Sequence, residues 1–452
     1  MTDPEADLRA RLDAVLPAAR ADLEDLVRLP TVSADPAHAD DVEQAAARVA
    51  ELARAAGAAE VDVVRAGGAP AVVGRWPAPD GAPTVLLYAH VDVQPTGPLE
   101  EWTSPPFTPT ERDGRLYGRG AADDKAGVAM HLAVLRAFGG RPPVGVVLFV
   151  EGEEEIGSPT LPALLAEHGE RLRADVVVIA DSANAAVDVP AFTTSLRGLV
   201  DAVVEVAVLE RPVHSGLYGG AAPDALTALS RLLATLHDDD GDVAVAGLHA
   251  GRSDAPDVDE AVWRSDAGLL PGVELIGTGT VPERTHTRPA ATVLAVDAPP
   301  VSGASNVLLP RARAVVSVRL APGDDARRAM TALTEHLERS APWGARVTVT
   351  PGAVADPFAI DAVGGTYDLA RRAFADAYGN EVVTTGIGGS IPFIAELARA
   401  NPGSTVLVTG VGDPASRWHG IDESLHLQMW QRACVAEALL LQRLAERGRG
   451  SG

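Results

Sequence analysis

The chain has 452 residues, of which 46% are hydrophobic, enough apolar material for more than one packed domain. It carries 38 Lys and Arg against 62 Asp and Glu, so its formal net charge at pH 7 is −24. A surface of that sign repels nucleic acid and anionic lipid, and we therefore exclude both as partners. No apolar run approaches the length of a membrane span, and the acidic opening with Asp3, Glu5 and Asp7 is unlike a signal peptide. We therefore expect a soluble, cytoplasmic protein with no membrane partner.

Short blocks rich in Val, Ile and Leu, without polar alternation, occur in both halves of the chain. They are Thr84–Ala89, Val144–Val150, Asp175–Ala180 and Ser404–Gly410. Continuous apolar runs of this length predict strands buried on both faces, as in a parallel sheet. Apolar periodicity and glycine stops predict helices at Val42–Ala56, Lys125–Phe138, Tyr367–Tyr378 and Ser424–Glu446. The alternation predicts an α/β fold in which helices flank a mostly parallel sheet.

The middle of the chain has a different pattern. Polar and apolar residues alternate more in Val200–Leu209 and Arg313–Leu320, and a helical pattern at Asp224–Leu236 lies between them. We predict that residues 198–350 form a smaller α+β domain. This domain is inserted into a discontinuous sheet domain made of residues 1–197 and 351–452.

Side chains that commonly bind metals follow each of the four predicted buried strands. In chain order these residues are His90, Asp92, Glu153–Glu155, Asp181 and His419. Ligands of open parallel sheets bind beyond the carboxyl ends of the strands, so we expect these side chains to converge on one rim. The loop with Asp123 and Asp124 reaches a predicted helix start between them.

Each of these residues has an ordinary structural explanation when it is considered alone. His90 is compatible with a hydrogen-bonded core histidine, Glu153–Glu155 with a solvated acidic turn, and Asp123 and Asp124 with acidic helix caps. Four strand ends that all supply such residues are much harder to obtain by chance. Imidazoles and carboxylates together are typical of a site for Zn²⁺ or another first-row divalent ion. The single cysteine, Cys434, cannot build a thiolate site and is predicted to be a buried structural thiol.

The ordered motifs resemble the di-zinc metallopeptidase superfamily of carnosinases, carboxypeptidase G, acetylornithine deacetylase and succinyl-diaminopimelate desuccinylase. The matching stretches are HVD (90–92), WTSPPF (102–107), DGRLYGRGAADDK (113–125), EGEEEIGS (151–158), VHSGLYGG (213–220), GGSIP (388–392) and His419. They occur in order over nearly the whole chain. WTSPPF and VHSGLYGG are most similar to the carnosinase-type dipeptidase branch.

The resemblance implies two Zn²⁺ per subunit, with Mn²⁺ or Co²⁺ as alternatives. His90 and Asp181 would bind one ion, and Glu155 and His419 would bind the other. Asp123 would bridge the two ions. Asp92 would orient the ring of His90 from behind. The peptide bond between Asp123 and Asp124 would be cis, as in relatives.

The resemblance also implies that Glu154 is a general base without a metal bond. It would take a proton from the attacking water and pass it to the leaving amine. The two glutamates before Ile156 align with the family, so Glu153 receives no role.

The inserted domain resembles the lid and dimerisation domain of the family. His214 would stabilise the oxyanion in the active site of a partner subunit, which implies a homodimer. Arg319 would bind the substrate carboxylate, with Gly389, Ser390 and Asn306 in the same pocket. Simpler interpretations stay open, with Arg319 as a surface charge on a strand and His214 as a loop residue.

We therefore predict an enzyme that hydrolyses the amide bond of a dipeptide or short peptide with a free carboxylate. Two alternatives remain open at this point, an N-acyl-amino-acid deacylase with the same metals and a catalytically silent dimeric scaffold. Dipeptidase relatives commonly have an acidic residue before the glycines of GGSIP, where this chain has Gly386 and Ile387. Recognition of the amino end of the substrate is therefore not predicted.

Overall fold

The computed structural model describes residues 4–253, 255, 257–388 and 392–449. The chain divides into two compact units. The first unit contains the residues up to Thr194, the segment Ile360–Thr385 and the C-terminal segment. The second unit contains Ser195–Ala359 and the short segment that begins at Gly386. The catalytic role of residues 1–197 with 351–452, and the lid role of 198–350, stay predictions.

Helices occur in both units. In chain order they are α1 (Pro4–Val27), α2 (Ala39–Ala55), α3 (Lys125–Ala137), α4 (Leu161–His168), α5 (Ser215–Tyr218), α6 (Ala225–Ala234), α7 (Glu260–Asp266), α8 (Ala326–Arg339), α9 (Gly365–Tyr378), α10 (Pro392–Ala400) and α11 (Leu427–Arg449). Within the described residues, none of these helices is both long and apolar enough to cross a membrane.

The strands are likewise distributed over both units. In chain order they are β1 (Glu60–Val64), β2 (Ala71–Trp76), β3 (Thr84–His90), β4 (Thr110–Arg112), β5 (Arg115–Tyr117), β6 (Gly145–Glu151), β7 (Val176–Ile179), β8 (Ala191–Leu196), β9 (Gly198–Ala207), β10 (Val213–His214), β11 (Ala290–Asp297), β12 (Val307–Leu308), β13 (Arg311–Leu320), β14 (Arg346–Ala355), β15 (Phe358–Ala359), β16 (Val383–Ile387), β17 (Thr405–Val408) and β18 (Ser424–His426).

The first unit is built on a six-stranded sheet with the order β1-β2-β6-β3-β7-β17. Strands β6, β3, β7 and β17 are parallel to one another, and β1 and β2 form an antiparallel edge. Every residue of β6 and nearly every residue of β3 is buried, because helices cover the sheet. The predicted α/β class with a mostly parallel sheet is confirmed.

The four apolar blocks form β3, β6, β7 and β17, as their composition predicts. The helix predicted to begin at Val42 begins three residues earlier, at Ala39, and the start predicted at Ser424 is wrong for a different reason. Ser424–His426 is a strand that pairs with Arg115–Tyr117, and α11 begins only at Leu427. The pairing with β5, which is distant in sequence, overrides the local helical pattern of these three residues.

The second unit contains an antiparallel sheet with the order β11-β13-β9-β14. Burial alternates along β9, and helices α6 and α8 pack against the sheet. The core between them includes Val204, Leu229, Val316 and Leu333. Strand β11 is an edge of this sheet, and its residues from Thr292 onward are exposed.

An acidic side chain lies inside the first unit at the end of β6. The carboxyl group of Glu151 is buried, and the hydroxyl of Tyr88 on β3 donates a hydrogen bond to its Oε2 at 2.9 Å. Burial raises the pKa of Glu151 from 4.5 to about 7. The folded protein therefore holds this proton more tightly than the unfolded chain does. Through this group, stability is highest below pH 4.5 and is lost as the pH rises through about 7.

We expect Glu151→Gln to stabilise the protein at pH 8, where the wild-type carboxylate is charged and buried. The gain in unfolding free energy should be about 1–3 kcal/mol, because one pKa unit corresponds to about 1.4 kcal/mol. At pH 5 the gain should be much smaller, because the wild-type group is then largely protonated. Thermal unfolding of chelator-treated protein at both pH values measures this, with the exposed Glu167→Gln as control. An equal shift at both pH values would contradict the prediction.

Candidate metal centre

Three neighbouring strands of the first unit bring acidic and imidazole side chains to one edge of its sheet. Strand β3 lies between β6 and β7, and all three are parallel, so their carboxyl ends lie together. His90 is the last residue of β3, Asp181 follows β7, and Glu154 and Glu155 follow β6. The convergence predicted from the sequence is therefore present for these side chains.

The first cluster consists of His90, Asp123 and Asp181. The Nε2 atom of His90 lies 3.1 Å from Oδ1 of Asp123 and 3.9 Å from Oδ1 of Asp181. One potential ligand atom from each of the three residues lies within 4.8 Å of the others, and all three residues are buried. This spacing and burial suit a metal ion bound between them.

The second cluster consists of Asp123, Glu155 and His419. The Nε2 atom of His419 lies 3.0 Å from Oδ2 of Asp123 and 3.2 Å from Oε2 of Glu155. Asp123 thus belongs to both clusters, and each of its oxygens faces a different imidazole. A carboxylate in this position can bridge two cations.

The chemistry of these donors fits divalent ions. Burial raises the pKa of Asp181 and the pKa of Glu155, because water no longer solvates their charges. Burial also opposes ionisation of Asp123, but hydrogen bonds from His419 and His90 lower its pKa below the usual value. Hydrogen bonds to Asp123 and Glu155 raise the pKa of His419 to about 10. The acidic groups therefore draw positive charge to this position, which a divalent cation supplies directly.

A backbone carbonyl group fixes the orientation of the His90 ring. Its Nδ1 lies 3.1 Å from the carbonyl oxygen of Asp92, which can only accept a hydrogen bond, so Nδ1 carries a proton. The other nitrogen, Nε2, faces Asp123 and Asp181. A backbone carbonyl that fixes the ring in this way is common behind metal-binding histidines.

The carboxylate of Asp92 also orients the acidic turn after β6. Its Oδ1 accepts from the backbone N–H of Glu154 at 3.1 Å, and its Oδ2 accepts from that of Glu155 at 3.0 Å. The same Oδ1 lies 3.5 Å from Nδ1 of His90. Asp92 therefore links the end of β3 to the turn that carries the two glutamates.

The three consecutive glutamates have different surroundings. Glu153 is buried, and its carboxylate accepts hydrogen bonds from the N–H of Ala69 at 3.0 Å and of Thr160 at 2.7 Å. Glu155 belongs to the second cluster, whereas Glu154 belongs to neither. The role that the sequence left open for Glu153 is thus structural, since it anchors the turn to two neighbouring segments.

Glu154 lies beside the clusters without joining them. Its Oε2 is 3.9 Å from Nε2 of His90, and its side chain is 14% exposed. Burial raises the pKa of Glu154 well above its usual value, and the charges of Asp181 and Glu155 raise it further against the opposing effect of His90. A carboxyl group with these surroundings can accept and release a proton.

Asp124 is the residue directly before α3, but its side chain does not cap this helix. The peptide bond between Asp123 and Asp124 is cis, and the side chain of Asp124 makes no capping hydrogen bond. Instead, Oδ2 of Asp124 accepts from the backbone N–H of His90 at 3.4 Å. A Cβ atom at Gly127 would lie 2.4 Å from Oδ1 of Asp124, so the first turn of α3 requires glycine there.

In the second unit, His214 and Asn306 lie on neighbouring segments. His214 pairs with Val307 between β10 and β12, and the N–H of Ser215 donates to the carbonyl of Asn306 at 3.0 Å. The exposed ring of His214 accepts from the N–H of Gly216 at its Nδ1, at 3.0 Å. The structure therefore brings these two predicted residues together.

Arg319 is half-buried on β13 and lies close to other basic side chains of the second unit. Burial lowers the pKa of Arg319. Burial lowers the pKa of Arg197 to about 10, and the nearby charge of Arg319 contributes to this shift. Burial also lowers the pKa of His286 to about 4, with a contribution from the charge of Arg197. The predicted residues Gly389 and Ser390 lie outside the described residues.

Sequence reasoning missed three residues that contact the clusters. Gln94 donates to both carboxylate oxygens of Glu155, from its backbone N at 3.2 Å and its side-chain Nε2 at 3.0 Å. Arg119 and Glu423 form a buried ion pair behind Asp123. The only signal in the sequence is that Gln94 is close to the HVD motif, Arg119 lies in the Gly118–Lys125 loop, and Glu423 is close to His419.

The sequence pattern of the peptidase family M20/M25/M40 matches residues 86–444. The chain is 38% identical over 416 residues to the cysteinylglycine-S-conjugate dipeptidase of Corynebacterium striatum, and the match covers 90% of this chain and 91% of that protein. It is 29% identical over 364 residues to the β-Ala-His dipeptidase of Rattus norvegicus, covering 76% of this chain and 73% of that protein.

Solved structures share the fold. The dipeptidase Dug1p of Saccharomyces cerevisiae superposes with a TM-score of 0.82 at 21% identity, over 99% of both chains. Human carnosine dipeptidase 1 superposes with a TM-score of 0.82 at 23% identity, over 98% of this chain and 99% of that one. At these identities the likeness establishes the fold alone.

We expect Zn²⁺ to raise the thermal stability of chelator-treated protein, because a ligand that binds only the folded state stabilises it. The gain is about 2.7 kcal/mol when free metal is at a hundred times its dissociation constant. Asp123→Asn should lose most of this gain, because the residue belongs to both clusters. Thermal unfolding with and without Zn²⁺ measures the effect, and the exposed Asp80→Asn is the control. An unchanged gain in Asp123→Asn would contradict the prediction.

Proposed function

Because the chain belongs to the peptidase family M20/M25/M40 and is therefore a metallohydrolase, we propose that it is a dipeptidase. It would cleave the amide bond of a dipeptide or short peptide whose carboxylate is free. The observation that carries this proposal is Asp123, shared by two imidazole–carboxylate clusters, with Glu154 outside both. The names of the relatives, which act on cysteinylglycine S-conjugates and on β-Ala-His, support a dipeptide substrate.

The two clusters would each hold one divalent ion, Zn²⁺ or alternatively Mn²⁺ or Co²⁺. His90 and Asp181 would bind one ion, Glu155 and His419 the other, and Asp123 both. When bound, the ions would supply the Lewis acidity that activates a water molecule and polarises the scissile carbonyl. Two nitrogen and several oxygen ligands without thiolate are consistent with this assignment.

Glu154 would act as the general base and then as the general acid. It would take a proton from the attacking water as the oxygen adds to the carbonyl carbon. It would deliver that proton to the amide nitrogen as the C–N bond breaks, so that the amine leaves neutral. The hydrogen bond from its backbone to Asp92, which also contacts His90, supports a fixed position for this carboxylate.

Arg319 would bind the substrate carboxylate, and the nearby guanidinium of Arg197 adds a second positive charge. A half-buried guanidinium is a better anion site than a solvated one, because water screens it less. This burial argues against Arg319 as a simple surface charge. Gly389, Ser390 and Asn306 would line the same pocket, as the family resemblance implies.

His214 would stabilise the oxyanion in a homodimer. Its Nδ1 accepts from the N–H of Gly216, so the neutral ring carries its proton on Nε2, which is then available as a donor. The exposed apolar side chains of Val293, Leu294 and Val296 on the edge strand β11 support dimerisation through the second unit.

An N-acyl-amino-acid deacylase with the same metals is the second candidate. This candidate is kept because the chain has Gly386 and Ile387 where dipeptidase relatives commonly have an acidic residue. A Cβ atom at Gly386 would lie 2.7 Å from Oγ of Ser195 and 2.8 Å from Cβ of His286. This position therefore has no room for a side chain that could bind the amino end of a dipeptide. A silent scaffold is less favoured, because the family ligands and Glu154 are all present.

A library of dipeptides and N-acetyl amino acids, supplied to the zinc-loaded protein, tests the proposal. We expect cleavage of dipeptides and a loss of turnover by several orders of magnitude in Glu154→Gln, because this change removes the proton carrier. Bound metal, measured by elemental analysis, should be the same in both proteins. The exposed Glu100→Gln is the matched control. Deacylation alone would favour the second candidate, and full activity of Glu154→Gln would reject the assigned base.

Arg319→Met should raise KM for dipeptides about 10- to 100-fold, because a hydrogen bond to a charged group contributes about 1.5–3 kcal/mol. The effect should disappear for dipeptides whose carboxylate is converted to an amide. Steady-state kinetics on matched acid and amide substrates measure this, with the exposed Arg313→Met on the same strand as control. An equal loss on both substrates would show that Arg319 does not recognise the carboxylate.

A further inference from the structure

The carboxylate of Glu423 lies behind the loop that carries Asp123. Glu423 is 1% exposed. Its Oε1 accepts from the backbone N–H of Ala122 at 3.0 Å and of Asp123 at 3.1 Å. Its Oε2 accepts from the N–H of Gly120 at 3.0 Å and from Nη1 of Arg119 at 2.7 Å. A carboxylate accepts about four hydrogen bonds, so this group is saturated by one short loop.

The partner of Glu423 extends the contacts to two further segments. The guanidinium of Arg119 is 1% exposed, and its Nη2 donates to the carbonyl of Pro95 at 3.1 Å and to that of His419 at 2.9 Å. Pro95 lies in the segment that follows His90 and Asp92. One ion pair therefore contacts the loop of Asp123, the backbone of His419 and the chain that leaves β3.

We propose that the Arg119–Glu423 pair is a positioning device for the metal centre, which sets Asp123 and His419 relative to each other and to the end of β3. This inference rests on the proposed function, since it assumes that these residues bind metal. Neither Arg119 nor Glu423 is a ligand in the proposed site. They act through the backbone of the residues that are.

A role in stability alone does not account for this pair. Two buried charges lose their hydration, and apolar replacements of similar volume are often as stable as a buried ion pair. An apolar pair, however, could not accept three backbone N–H groups or donate to two carbonyls. The planar fork of arginine is also required, because a lysine ammonium cannot present the same set of donors in one plane.

The pair His131–Glu437 provides a matched comparison in the same unit. Its two side chains are 0% and 2% exposed, and Nδ1 of His131 lies 2.7 Å from Oε2 of Glu437. His131 also contacts the carbonyl of Tyr88. Among the residues that the structure describes, neither member of this pair belongs to a cluster or hydrogen-bonds to a cluster residue. Glu437→Gln therefore perturbs a buried hydrogen-bonded pair of a basic and an acidic side chain, without the contacts that the proposal requires.

The variants are Glu423→Gln, Arg119→Lys, the double variant Arg119→Met with Glu423→Gln, and the control Glu437→Gln. Each is measured for thermal stability without metal, for Zn²⁺ affinity by competition with a chromophoric chelator, and for the visible absorption spectrum of its Co²⁺ form. We expect Zn²⁺ affinity to fall about 10- to 100-fold in the first three variants, as for other residues that orient metal ligands. Their Co²⁺ spectra should change as well.

The double variant distinguishes an effect on ligand positioning from an effect on stability. It removes both buried charges together, so neither charge is left buried without its partner. We expect it to recover stability relative to Glu423→Gln while its Zn²⁺ affinity and Co²⁺ spectrum stay altered. Glu437→Gln should lose stability and keep the metal properties of the wild type. Wild-type affinity and spectrum in the folded double variant would overturn the inference and leave the proposed function intact. A wild-type protein that binds no metal would overturn both.

Discussion

The carboxylate of Asp123, held between the imidazoles of His90 and His419, is the constraint on which the rest of the site depends. Glu155 and Asp181 are close enough to share these partners, and burial raises the pKa of each. So many acidic groups stay ionised together inside a protein only when positive charge compensates them. Divalent ions bound at the proposed site would provide that compensation, so the electrostatics of the fold and the proposed chemistry would have the same origin.

At the ends of the strands, adjacent residues make different contacts, and this places the acidic groups around Asp123. After β6, Glu153 anchors the turn to Ala69 and Thr160, which leaves Glu155 in a cluster and Glu154 beside it. After β3, Asp92 uses its carbonyl to orient His90 and its carboxylate to hold the turn. Two consecutive glutamates can therefore have the different roles proposed for them, because backbone hydrogen bonds to Asp92 fix the turn that carries both.

The sequence predicts the parts of this arrangement that depend on local pattern. The central strands are recognisable because they are buried on both faces, and their candidate ligands follow directly at the strand ends. Glu423 and Gln94 were not predicted, because their roles arise from partners distant in sequence, such as Ala122 at a separation of 301 residues for Glu423. The strand at Ser424–His426 was missed for the same reason, since only its pairing with β5 distinguishes it from the helix that follows.

Anomalous X-ray scattering from crystals of the zinc-loaded protein, recorded on both sides of the zinc absorption edge, tests the central claim most directly. The account predicts two peaks per chain, about 3.5–4 Å apart as in other two-metal sites, one on each side of the Asp123 carboxylate. Each should lie about 2.0–2.2 Å from its nitrogen and oxygen ligands, with Glu154 bonded to neither. A single peak, or two peaks that do not share Asp123, would contradict the account.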